Sequence, residues 1–408
     1  MSFSWYDLSL ADGYPGLLIL FATLERRGLL EKNDGSIAHQ YVLKIKEALE
    51  TQDFPGISLF SGITGVCFAI QYASLEGRRY QRMLMQLHET LLRHIKTDYL
   101  QPLQENIRSN SHSSSLLFDT MQGVAGIGRY ILENVQSQEF ADTTALITET
   151  LIALSKPLVI DENTVPGWYL LRNDPVNIPD PDCCSRGNFN LGLAHGIPGV
   201  LAFLAIALLK GISVEGQKDA IQRISYWLME RSFIDSQAIR WDYNVSWDEE
   251  VLHKKKSLYP CKDAWCYGVP GIAGALLIAG KAIGDHKLQT FAKRAFLDIF
   301  IRSQKEWNLP GPALCHGIAG LLLTTYEMSK ENGCEILIPK VVELEQILLS
   351  FYNENFHFGF KDLEFCRNGK LFQANHPGLL NGSTGILLTL LTLSDPSLKW
   401  HTPLMIYG

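Results

Sequence analysis

The sequence predicts an all-α fold: an α/α toroid, or double α-barrel, of seven helix-pair repeats with loop-rich insertions. Three observations predict it. First, seven Gly-x-x-Gly pairs recur down the chain, at Gly13/Gly16, Gly62/Gly65, Gly123/Gly126, Gly196/Gly199, Gly268/Gly271, Gly317/Gly320 and Gly382/Gly385, and such self-similarity is the mark of a repeat architecture. Second, each pair leads into an apolar stretch, and between the pairs lie segments whose apolar residues recur at three- and four-residue intervals, as at Ile221, Ile224, Trp227 and Leu228. Third, the first and last repeats are as apolar as the middle ones. Neither end therefore offers the polar cap that an open solenoid needs.

In each repeat the segment after the glycines is the inner helix. The stretch from Gly199 to Leu209 is apolar nearly all round, as a helix buried on every side must be. The outer helices are predicted over 37–49, 84–95, 145–154, 220–229, 288–301 and 341–351, each with one wet face. Seven outer helices are expected around the seven inner ones. The intervals between first glycines are 49, 61, 73, 72, 49 and 65 residues, so the long ones carry insertions. These are expected near 98–118, 156–191 and 234–264, over the functional face. The Ser/Asn-rich 106–115 reads as a loop, and a short strand is expected around 168–171. The whole chain, 1–408, is read as one catalytic toroid.

Apolar residues make up 46% of the 408 and charged residues 19%, enough apolar side chain to drive a core rather than disorder. The 36 Lys and Arg against 43 Asp and Glu give a net charge of −7, which argues against non-specific nucleic-acid binding. The basic run from His253 to Lys256 reads as a solvated loop. The apolar stretches Gly16 to Leu24 and Val200 to Leu209 are too short for a signal peptide or a membrane span. A cytoplasmic protein is expected, and its eight cysteines read as thiols or metal ligands rather than disulfides.

Aligning the repeats on their first glycine locates the chemistry. The residue just before it is Asp12, Ser61, Gln122, His195, Tyr267, His316 or Asn381, polar in every case inside apolar sequence. A ring brings these positions to one mouth. One residue earlier stand Cys266 and Cys315, in adjacent repeats. Cys266, Cys315 and His316 are therefore the candidate metal set, and two thiolates with one imidazole suit one Zn²⁺ with an open fourth position. Such a site has little net charge. It can lower the pKa of a further thiol and leave it nucleophilic, which favours attack of a substrate thiol on a carbon electrophile. The other reading makes both cysteines buried small hydrophobes.

His195 shares the slot and is the candidate acid or base. Asp119 either orients it or caps a helix. Lys262, four residues before Cys266, either faces a developing enolate or is solvated, and Tyr267 is the remaining catalytic candidate. Cys67, Cys183, Cys184, Cys261, Cys334, Cys366, His88, His94 and His376 fall outside the slot and receive no role.

Three blocks carry a resemblance: Asn190 to Gly199, Ala264 to Gly271 and Leu314 to Gly320. They resemble the signature blocks of lanthionine synthetase C-like proteins, above all the stand-alone cyclases of class I lantibiotic biosynthesis. The resemblance implies zinc on Cys266, Cys315 and His316, acid/base work by His195, and a role for Asp119. Where relatives carry an arginine, this chain has Lys262, which keeps the charge but loses the planar fork. The implied reaction is a zinc-dependent intramolecular Michael addition of precursor-peptide cysteines to dehydroalanine or dehydrobutyrine, giving lanthionine and methyllanthionine rings. The implied partners are the dehydrated precursor peptide, a dehydratase and an ABC-type exporter, in an assembly at the inner face of the membrane. Two alternatives stay open: a zinc enzyme adding glutathione or another thiol to dehydro residues, and a scaffold without activity.

Overall fold

Each Gly-x-x-Gly pair opens a helix. The computed structural model describes residues 5–30, 36–134, 137–176, 186–254, 262–365 and 371–406. The first half holds α1 (Tyr14–Arg26), α2 (Ile37–Thr51), α3 (Ile63–Ala73), α4 (Gln81–His94), α5 (Gln101–Arg108), α6 (Ser115–Phe118), α7 (Val124–Leu132) and α8 (Gln138–Leu154). Next come β1 (Leu158–Ile160), β2 (Asn163–Val165), β3 (Asn188–Asn190), α9 (Ile197–Leu209), α10 (Gln217–Glu230), β4 (Phe233–Asp235), β5 (Ala238–Arg240), β6 (Asn244–Ser246) and α11 (Trp247–Leu252). The last part holds α12 (Val269–Ile283), α13 (His286–Leu297), α14 (Ile318–Met328), α15 (Ile338–Ser350), β7 (Asp362–Phe365), β8 (Leu371–Ala374) and α16 (Ser383–Ser394).

The inner ring is α1, α3, α7, α9, α12, α14 and α16. Each touches the next, and α16 returns to touch α1, so the ring is closed. Its glycines explain the repeat. The first of each pair is the N-cap residue, with proline in the first turn of α1, α9 and α12, where its missing N–H is no loss. The second lets neighbouring repeats meet: a Cβ on Gly16 would lie 2.8 Å from Leu10 O and 3.2 Å from Leu379 Cβ, across the seam between first and last repeats.

A ring of backbone hydrogen bonds ties the seven pre-helix turns together. Ala11 N–H donates to Phe60 O (3.1 Å), Phe60 to Met121 O (3.2 Å), Thr120 to Ala194 O (3.2 Å) and Ala194 to Cys266 O (3.3 Å). Cys266 donates to Cys315 O (3.3 Å), Cys315 to Leu380 O (2.9 Å) and Leu380 back to Ala11 O (3.3 Å). The circuit sets all seven inner-helix N-termini at one end of the barrel.

Among the described residues the outer layer has six helices, α2, α4, α8, α10, α13 and α15, where seven were expected. After α16 the chain makes only a short 3₁₀ turn, Thr402–Leu404. This tail turns into the barrel instead: Trp400, Leu404 and Met405 are buried, and Trp265 Nε1 donates to Leu404 O at 2.7 Å. Phe60 and Trp265 meet with ring centroids 6.3 Å apart. The barrel is therefore a packed core and not a pore.

Among the described residues the insertions carry four two-stranded antiparallel sheets, β1–β2, β3–β6, β4–β5 and β7–β8. Around 168–171 there is only an isolated bridge, Leu170 to Asn188. In the insertion expected near 98–118, residues 109–114 are non-helical, within the loop expected over 106–115, and the part before them is helical. A π-helical turn, Ile95–Leu100, runs into α5, which has proline in its first turn and a buried Leu103. Of the basic run from His253 to Lys256, the last two residues lie outside the described residues, as do Cys183, Cys184, Cys261 and Cys366. No helix among the described residues is long and apolar enough to cross a membrane.

Candidate active site

The circuit of turns puts Cys266 and Cys315 side by side. Their backbones are hydrogen-bonded, and a hydrogen bond from Cys315 is the main force holding the Cys266 thiol down at about 6. Burial opposes it, and the charges of His316, Lys262 and His195 help it. A thiol ionised near neutrality is the form that ligates a metal. Gly268, two residues on, has φ +119°, unlike the N-cap glycines of the other six inner helices, and this backbone suits glycine alone.

His195 lies one repeat away. Its Nδ1–H donates to Asp119 Oδ2 at 2.7 Å, which leaves Nε2 for a substrate. Asp119 is fully buried. Its other oxygen accepts from Gln122 N at 2.6 Å and Gly123 N at 2.9 Å, so it caps the turn before α7 and orients His195 at once. Burial pulls the His195 pKa down, but the hydrogen bond and charge of Asp119 outweigh it, and the net shift is upward. Cys266 and Asp174 add to the rise.

Tyr267 packs its ring over Gly192 and takes a hydrogen bond from Asn190 Nδ2 at 3.1 Å. Burial raises its hydroxyl pKa. Lys262 enters through its charge on Cys266. The seven positions before the glycines are all partly exposed while the glycines themselves are buried, as expected for side chains at a mouth. Ser61 and Gln122 bond to each other there, at 2.9 to 3.0 Å.

Two carboxylates escaped the sequence reading. Asp362, at the start of β7, has Oδ2 3.2 Å from His316 Nε2. Asp174 accepts from Ser115 N at 3.0 Å and Oγ at 2.5 Å. Both sit in insertions, outside the repeat register. The signal available for Asp362 was the 65-residue interval between Gly317 and Gly382.

As a metal site, the donor set has the right chemistry: two adjacent thiols, one ionising near neutrality, next to a histidine whose Nε2 engages a carboxylate. Among the described residues no three His, Cys, Asp or Glu side chains converge closely enough to hold an ion. The sulfur pair is in place, and His316 is bonded to Asp362.

Residues 4–405 match the family described as lanthionine synthetase C-like protein. The chain belongs to this family. It is 26% identical over 333 residues to the nisin biosynthesis protein NisC of Lactococcus lactis subsp. lactis, covering 79% of this chain and 73% of the relative. The solved structure of a nisin cyclase superposes with a TM-score of 0.79 at 22% identity, over 99% of this chain and 93% of that one. At that identity the superposition speaks for the fold, the toroid built above. His195, Cys266, Cys315 and His316 all lie within the matched residues.

Proposed function

We propose that this chain is a zinc-dependent lanthipeptide cyclase. It closes lanthionine and methyllanthionine rings by adding precursor-peptide cysteine thiols to dehydroalanine or dehydrobutyrine within the same peptide. The observation that carries this reading is the contact of Cys266 with Cys315 beside the His195–Asp119 pair. The family membership and the relative named for nisin biosynthesis support it.

Cys266, Cys315 and His316 would hold one zinc ion per chain. Zinc there would lower the pKa of the peptide thiol so that it ionises near neutral pH. In the reaction a sulfur–carbon bond forms at the β-carbon, and a proton arrives at the α-carbon. His195, kept protonated by Asp119, gives that proton from Nε2 and is recharged by the proton the thiol releases. Lys262 supplies fixed positive charge toward the developing enolate. Tyr267, held by Asn190 and packed over Gly192, walls the site beside Cys266. Binding both reacting ends of one peptide at a single mouth supplies proximity.

A dehydro residue must come from a dehydration, so a dehydratase acts first. We place the protein in the cytoplasm, meeting an ABC-type exporter at the inner membrane face through partners.

Metal content and ring closure test the reading together. The wild type should carry about one zinc per chain and Cys315→Ala little; stoichiometric zinc in both would remove the ligand assignment. With a dehydrated peptide, free thiols should disappear without change in mass. A gain of glutathione mass when glutathione is present would instead indicate addition between molecules. His195→Ala should keep its zinc and lose about 10²–10⁴-fold in rate, the usual range for a positioned acid or base.

A further inference from the structure

Asp174 ties an insertion to the acid/base pair. It is buried, at 8% exposed, and both of its oxygens are engaged. Oδ2 accepts from Ser115 N at 3.0 Å, and Oδ1 accepts from Ser115 Oγ at 2.5 Å and from Val176 N at 3.3 Å. Ser115 is the first residue of α6, a helix of only 4 residues. So short a helix has no stability of its own. Asp119 ends it, and the Asp119 N–H donates to Ser115 O at 2.9 Å. On the other side, Thr120 N–H donates to Ala194 O at 3.2 Å and Thr120 Oγ1 donates to Leu193 O at 2.9 Å. Asp119 thus stands between a clamp on Ser115 and a brace on the turn that carries His195.

Ser115, Phe118, Asp119 and Thr120 are all buried, and a carboxylate is costly to bury among them unless it is hydrogen-bonded. Asp174 directs two of its three bonds to a residue 59 positions away, not to its own insertion. Ser114 Oγ already accepts from Leu116 N to cap α6, so the bonds from Asp174 anchor the helix beyond its own cap. The charge of Asp174 also reaches His195, where it acts in the same direction as Asp119 and Cys266. Resting on the acid/base role of His195 proposed above, we infer that Asp174 is a positioning residue for the His195–Asp119 pair. By clamping Ser115 it fixes where Asp119 meets His195, and with it the direction in which His195 Nε2 points. The insertion near 156–191 then supports the site from outside the repeats.

The test reads the hydrogen bond between His195 and Asp119 directly, in the full chain. The His195 Nδ1 proton should give a downfield proton NMR signal in the cold, assigned by its loss in His195→Ala. In Asp174→Ala that signal should shift or broaden. The kcat for ring closure should fall with it, by up to about 100-fold, as misplacing a catalytic group can do, while KM for the dehydrated peptide stays the same. Asp174→Asn keeps an acceptor for Ser115 Oγ and should lie between. Asp285→Ala removes a helix cap, the bond from Leu288 N at the start of α13; it should lower the melting temperature and leave the signal in place. If Asp174→Ala does not fold, Ser115→Ala decides, since it removes only the hydroxyl bond. A wild-type signal and wild-type kcat in the folded variants would overturn the proposal, whatever their melting temperatures, and so would a wild type without the signal. A wild type that shows the signal but closes no rings would overturn the cyclase reading, and the signal alone would then decide the clamp.

Discussion

At the scale of the residue, two histidine–carboxylate pairs face opposite ways. Asp119 takes Nδ1 of His195 and leaves Nε2; Asp362 takes Nε2 of His316. The first pair sets a pH dependence. Burial alone would lower the His195 pKa, and Asp119 reverses the sign. The stability this pair contributes is therefore full below the ordinary histidine value and lost as pH rises through the raised one. Turnover needing protonated His195 follows the same limb. Asp119→Asn removes the charge, so the alkaline limb of the rate profile should move to lower pH; an unmoved limb in a pH–rate series would show that Asp119 does not tune His195. His195 and Asp119 were legible because one fills the repeat slot and the other stands four residues before a repeat glycine. Asp362 was not, because nothing in a carboxylate within a 65-residue interval says which histidine it will meet.

At the scale of the element, the sequence read well wherever one residue type answers one steric demand. The second glycine of each pair is small because the preceding repeat packs against it, so the motif survives in all seven copies. Inner helices were plain from their all-round apolarity, and α9 is buried from Ile197 to Ala207. The Ser/Asn-rich 106–115 read as a loop and is non-helical over 109–114, but the helix just before it, held by a few apolar contacts such as Leu100 and Leu103, was hidden inside the insertion. The inward turn of the tail was illegible, since Leu404 and Trp265 lie 139 positions apart. The glycine argument is testable at the seam. Gly16→Ala places a methyl 2.8 Å from Leu10 O and 3.2 Å from Leu379 Cβ, and the backbone must shift. We expect a loss of about 1–3 kcal/mol, typical of overpacking, read as a lower denaturant midpoint. An unchanged midpoint would mean the seam is loose.

At the scale of the whole molecule, closure does two things that no single repeat can. It points seven helix N-termini at one mouth, where their partial positive charge favours anionic groups. It also lets the turns brace one another, so that Cys315 is held on one side by Cys266 and on the other by Leu380. The last repeat should therefore matter to a site built from the fifth and sixth. Deleting residues 375–408 removes Leu380, the contact of α16 with both α14 and α1, and the acceptor of Trp265 Nε1, yet it leaves Cys266, Cys315 and His316 in the chain. In an open solenoid such a cut costs one terminal interface and the rest stays folded. In a closed ring it opens two seams and uncovers the barrel core. We expect the truncated chain to lose its cooperative melt by circular dichroism and to retain little zinc. A truncated chain that melts sharply near the wild-type temperature and keeps its metal would show that the repeats stand alone, and that the circuit of hydrogen bonds holds neither the fold nor the paired cysteines together.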